Sequence, residues 1–186
     1  MKLETKVNGV QVDRLLEIMD HVKAQPDLAN FEFRAKNRWK DGTHSRAEIQ
    51  AFYGVGKEDA SRQKPHVYDI DEPTVLLGNN RGANPAEFLL TALSGCVTTT
   101  FIAYASAMGV KIDELRTELD GDVDLRGFLG ISDEVRPGFR EIRVKFFVKS
   151  DAPREKILEL MNLTERRSSL TDTLQHGVPV RFGLAS

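Results

Sequence analysis

Apolar residues return at helical spacing between Val10 and Val22. Val12, Leu15, Leu16, Met19 and Val22 share one face, and Pro26 ends the run. The period then changes to two. In FEFRAKNRW, Phe31, Phe33 and Ala35 alternate with Glu32, Arg34 and Lys36. In HSRAEIQAFYG, the alternating set is Ala47, Ile49, Ala51 and Tyr53. Two such runs predict two strands, and Asp41-Gly42 between them predicts a hairpin turn. Residues 54–64 are polar and glycine-bearing, the composition of a loop. HVYDIDEPTVLLG reads as an extended segment leading into the turn-rich GNNRGANP.

The clearest element follows. Asn84 suits an N-cap, Pro85 suits the first helical position, and Glu87 stands three residues after the cap. From there FLLTALSGCVTTTFIAYASAM runs to Gly109, a natural C-terminal stop. The predicted helix has about 24 residues and is roughly 36 Å long. It carries no polar face, so most of its sides should be buried. A short chain has little material for that purpose, and a homodimer sharing the burial is the natural solution. Gly95 costs up to about 1 kcal/mol in a helix interior. Its presence there points to the close approach of another segment, such as a partner helix.

Beyond Gly109, Leu115, Thr117, Leu119, Val123 and Leu125 suggest a strand. EIRVKFFVKS alternates cleanly, with Ile142, Val144, Phe146 and Val148 on one side. RGFLGISDEVRPG between them reads as a long connection. Pro153 opens a helix bearing Ile157, Leu158, Leu160 and Met161, and SSLTDTLQHG forms a short second one stopped at Gly177. VPVRFGL closes the chain as a strand. No repeat, low-complexity tract or interdomain linker interrupts residues 1–186, so they read as a single domain.

Composition narrows the class. The chain has 186 residues, 40% hydrophobic and 29% charged, with a net charge of -2. That balance gives no reason to expect nucleic acid or an anionic membrane as partner. One cysteine excludes an intrachain disulfide and a cysteine-based zinc cluster, and it fits a reducing compartment. The N-terminus lacks the uninterrupted apolar core of a signal peptide, and no transmembrane helix is expected. The expected location is the cytoplasm. The histidines His21, His44, His66 and His176 lack metal-ligand spacing and read as surface residues. No phosphate-binding glycine loop is present, and no cofactor is implied.

Candidate chemistry centres on Cys96, in LSGCVTTT. It is either a small hydrophobe filling a core or a nucleophile held in place by the fold. A mid-helix position gives no help from that helix's own dipole, which acts at the first turn. Reaction at neutral pH then calls for a nearby cation to lower the thiol pKa.

GANPAEFLLTALSGCVTTT, Gly82 to Thr100, resembles the central helix and peroxidatic cysteine of the OsmC/Ohr family of peroxide-stress proteins. FRAKNRWKDGTHSRAEI resembles that family's first hairpin. The similarity covers about 30–182, with about 1–26 an added N-terminal helix. The resemblance implies an α+β, OsmC-like fold: antiparallel sheets wrapped around a long buried central helix in an intertwined homodimer. It implies reduction of organic hydroperoxides, with Cys96 as nucleophile, Arg38 favouring its thiolate, and an external thiol as reductant. Arg34 and Arg46 are weaker matches for that arginine. In peroxidase members a glutamate that orients the arginine directly follows the Asn-Pro pair. Here Ala86 holds that position, and Glu87 is the nearest acid, about 100° further around the helix. Ser168 stands where those members carry a second, resolving cysteine. Three readings follow: a one-cysteine hydroperoxide reductase, a thiol-dependent sensor, and a non-catalytic dimer that binds a small hydrophobic ligand.

Overall fold

The computed structural model describes residues 6–185. Met1 to Thr5, part of the stretch read above as lacking a leader, and Ser186 lie outside the described residues. In chain order the elements are β1 (Lys6–Val7), β2 (Val10–Gln11), α1 (Val12–Ala24), β3 (Lys36–Asp41), β4 (His44–Ile49), β5 (Phe52–Gly54), β6 (Lys57–Asp59) and β7 (His66–Ile70). There follow α2 (Pro85–Ala107), β8 (Glu114–Val123), α3 (Leu125–Phe128), β9 (Phe139–Lys149), α4 (Arg154–Arg167) and α5 (Ser169–His176). Short 3-10 turns lie at Pro26–Ala29 and Thr74–Leu76. The described residues form two compact units, one of 6–12 with 90–185 and one of Asp13–Leu89.

In the Asp13–Leu89 unit the three-stranded antiparallel sheet has the order β3-β4-β7. The expected hairpin turn is present: Asp41 pairs with His44, and Gly42 takes a φ of 52°, where glycine costs least. The first strand is shorter than its alternation predicts. It begins at Lys36, and upstream only Glu32 forms a bridge, to Tyr53. Phe31 and Phe33 still share a side, as alternation requires, and both rings lie against Phe52, with centroids 6.3 Å and 5.7 Å away. The second alternating run breaks at residues 50–51, and its tail becomes β5. The expected loop of 54–64 instead holds a second hairpin, β5–β6. Its turn residues, Val55 at φ 52° and Gly56 at φ 74°, supply the left-handed pair that a two-residue hairpin needs. A β-branched residue rarely adopts that conformation, so the sequence carries no turn signal there.

A buried carboxylate shapes the segment before α2. Asp71 is 1% exposed. It accepts from the Thr43 hydroxyl at 2.7 Å and from the backbone N–H groups of Glu72, Asn79 and Arg81. Its pKa is lowered to about 2, first by the Thr43 hydroxyl, which together with the three amides outweighs the cost of burial. His44, expected at the surface, is instead largely covered. Its Nε2 lies 2.8 Å from Asp69 and its Nδ1 lies 3.2 Å from Arg81. GNNRGANP is therefore a pinned loop.

The other unit is built on α2, β8, β9 and α4. Leu93, Val97, Phe101 and Ala105 recur every four residues and form the buried stripe of α2. Phe101, Ala105, Val110 and Leu160 make the core cluster, with Phe146 and Val148 of β9 packed against it. The rings of Phe101 and Phe146 are 5.5 Å apart. β8 and β9 pair antiparallel from Glu114–Lys149 to Val123–Phe139. Leu125 does not extend β8, because Asp124 caps the short α3 by accepting from the Arg126 N–H. At the N-terminal end, Asn8 ties β1–β2 to the end of α2. Its side chain donates to Ser106 and to the Val110 carbonyl and accepts from the Ile112 N–H.

Two expectations need correction here. The added N-terminal segment holds the β1–β2 hairpin ahead of its helix. The predicted final strand does not form: 177–185 is irregular, with Phe182 97% exposed. A strand needs a neighbour for its backbone groups, and among the described residues no strand of this chain supplies one. By length and composition alone, α2 is long and apolar enough to cross a membrane. In the single chain it is buried along one stripe, from which Phe101 and Ala105 enter the core cluster.

Candidate functional site

Cys96 lies midway along α2, one position before the buried Val97, and is half-buried. The junction of α4 and α5 is placed against it. A single residue, Ser168, joins these helices, with φ −71° and ψ 117°, ending one and capping the other. Leu160, Thr164 and Ser168 are fully or almost fully buried at four-residue spacing, so the inner stripe of α4 leads directly to Cys96. Ser168 N–H donates to the Thr164 carbonyl at 2.8 Å, which fixes the turn.

The Ser168 hydroxyl donates to Cys96 Sγ at 3.2 Å, and Ser169 Oγ lies 3.6 Å from the same sulfur. The backbone N–H groups of Ser169 and Leu170, in the first turn of α5, also face it. Burial is the largest influence on the thiol and raises its pKa. The Ser168 hydroxyl, the Leu170 amide, and the hydroxyl and amide of Ser169 together outweigh it, and the net shift is downward. The sulfur thus sits at the positive end of a helix other than its own.

The helix that carries Cys96 gives no dipole assistance at mid-length, but α5 supplies it from outside. The reading of Ser168 as occupying the second-cysteine position agrees with its contact with Sγ. Ser169, Leu170 and Thr171 were not singled out from sequence. The available signal was a hydroxyl residue directly before a short helical run, the mark of an N-cap.

Glu87 forms a complete capping box. Its N–H donates to Asn84 Oδ1 at 2.9 Å, and its carboxylate accepts from the Asn84 N–H at 2.8 Å. Arg38 lies on β3, in the Asp13–Leu89 unit, and Cys96 lies in the other unit. Of the three hairpin arginines, Arg34 is held by Glu32 and Glu58, and Arg46 by Asp69. Among the described residues, no ion pair or side-chain hydrogen bond joins Arg38 to Glu87.

These features define an α+β protein of antiparallel sheets whose one thiol sits on its longest helix, under the first turn of a second helix. Residues 78–183, more than half of the chain, match the family model of OsmC-like proteins, and the chain belongs to that family. Similar solved structures include an OsmC-like protein from Mycoplasma pneumoniae, with 17% identity and a TM-score of 0.58, covering 77% of this chain and 87% of that one. Another is an organic hydroperoxide resistance protein OsmC from Legionella pneumophila, with 10% identity and a TM-score of 0.53, covering 78% of this chain and 91% of that one. At these identities the likeness establishes the fold. No curated protein matches the sequence.

Proposed function

We propose that the protein reduces organic hydroperoxides through Cys96 as its one peroxidatic cysteine. The observation that carries this reading is the set of donors converging on Cys96 Sγ from Ser168, Ser169 and Leu170, which lowers the thiol pKa despite burial. The thiolate sulfur attacks the terminal oxygen of the hydroperoxide. An S–O bond forms and the O–O bond breaks. Sulfur is oxidised by two electrons to the sulfenic acid, and the leaving alkoxide takes a proton to become the alcohol. With Ser168 in the second-cysteine position, an external thiol attacks the sulfenic acid, releasing water and leaving a mixed disulfide. A second external thiol then frees Cys96.

The working form is a homodimer. Ala92, Gly95 and Thr99 lie exposed on one side of α2, and a Cβ built on Gly95 meets nothing within 4 Å. That side is apolar or small and leaves room for the backbone of a second copy. The resemblance assigns the cationic role to Arg38, and Arg38→Ala tests it through loss of rate.

The decisive experiment is consumption of cumene hydroperoxide by the reduced protein with excess dithiothreitol. Steady turnover that disappears in Cys96→Ser supports the proposal. Equal background rates in both proteins would overturn it and favour a ligand-binding dimer.

A further inference from the structure

A serine hydroxyl has one proton to donate and two lone pairs to accept with. At Ser168 both acceptor positions are taken from the same side. Thr171 donates to Ser168 Oγ with its hydroxyl at 2.9 Å and with its backbone N–H at 3.3 Å. Ser168 is 0% exposed, so its remaining proton is not shared with bulk water. That proton goes to Cys96 Sγ at 3.2 Å. The hydroxyl therefore has a fixed polarity. It can give a hydrogen bond to the sulfur, but it has no lone pair left to receive one from an S–H. A thiolate, which only accepts, matches this arrangement, whereas a thiol leaves its own proton without a partner in Ser168.

We propose that Ser168 is a positioning residue that holds Cys96 in its thiolate form, and that Thr171 sets the direction of the Ser168 hydroxyl. The proposal rests on the peroxidatic reading of Cys96 for its purpose, but not for its test. It also gives this chain's serine a task distinct from that of a resolving thiol. Ser168 does not trap the oxidised sulfur; it prepares the reduced one.

The test is the pH profile of Cys96 alkylation by iodoacetamide, read by intact mass, in the full chain. Ser168→Ala should move the midpoint upward by about one pH unit, a roughly tenfold loss of thiolate at pH values below both midpoints. Ser168→Thr, which keeps the hydroxyl, should stay near the native midpoint. Because Ser168→Ala also removes the cap of α5, Thr171→Val is the second variant. It keeps Ser168 but frees its hydroxyl to turn, and its midpoint should rise as well, with Thr171→Ser restoring it. An unchanged midpoint in both Ser168→Ala and Thr171→Val would overturn the inference. So would an upward shift in Ser168→Ala that Ser168→Thr shares. Failure of the peroxidatic reading looks different: no oxidation by cumene hydroperoxide, with an alkylation midpoint that still depends on Ser168 and Thr171.

Discussion

Ser168 Oγ donates to Cys96 Sγ across 3.2 Å, although 72 positions separate the two residues in sequence. One residue thus ends α4, caps α5 and solvates the only thiol of the chain. The stability of the α4–α5 corner and the reactivity of Cys96 are therefore parts of one arrangement.

The contribution of Ser169 should be separable from that of Ser168. Ser169→Pro removes both the Ser169 N–H and its Oγ, while proline suits the first helical position and the extended Ser168 suits the residue before it. α5 should persist by circular dichroism. The alkylation midpoint of Cys96 should rise, with a fall of several-fold in the rate at neutral pH. An unchanged midpoint would mean that Ser169 contributes nothing to the thiolate.

Restoring a thiol at the junction should change the fate of the oxidised protein. In Ser168→Cys the introduced thiol lies against Cys96, and oxidation by hydroperoxide should end in an intramolecular disulfide with loss of water. Intact mass should show a loss of two hydrogens and no dimedone adduct. A persistent sulfenic acid would mean that the two sulfurs do not reach bonding distance.

The loop before α2 should resist acid. Asp71 has a folded pKa of about 2, below the ordinary aspartate value of about 3.9. A depressed acid stabilises the fold fully above its unfolded pKa, and this contribution is lost as pH falls toward the folded value. Thermal melts of the native protein should therefore weaken between about pH 4 and pH 2, and Asp71→Asn should lower the melting temperature at neutral pH while flattening that decline. Gly82→Ala should damage the same loop at every pH, because its Cβ would lie 1.9 Å from the Asp69 carbonyl oxygen.

The open side of α2 should report on assembly. Gly95→Leu places a branched side chain where a second copy is proposed to approach, and light scattering should show the dimer weakened or lost. The core stripe of Leu93, Val97, Phe101 and Ala105 lies elsewhere on the helix, so the monomer should remain folded. A dimer as tight as the native one would remove Gly95 from the interface.

Much of this fold was legible because local signals agreed with it. The Asn84–Pro85–Glu87 start of α2, the Asp41-Gly42 turn and the alternation of β9 each follow from one stretch of chain. What the sequence hid depends on distant partners or on atypical residues. Val55 adopts a turn conformation that its side chain disfavours, so β5–β6 carries no mark. VPVRFGL alternates like a strand, yet alternation describes only side chains, and a strand also requires a neighbouring backbone. At the site, Cys96 was visible as the one thiol, and Ser168 as the residue in the second-cysteine position. The donors of α5 were not visible, because a helix N-terminus advertises its cap but not what it faces.

Dimedone trapping of Cys96 after exposure of the reduced protein to cumene hydroperoxide, followed by intact mass over time, tests most directly whether the fold prepares this thiol for oxidation. The native protein should form the sulfenic acid adduct at Cys96 far faster than the same protein unfolded in urea, because the donors of Ser168, Ser169 and Leu170 exist only in the fold. Equal, slow labelling of the folded and unfolded chains would contradict the account and leave Cys96 as a packing residue.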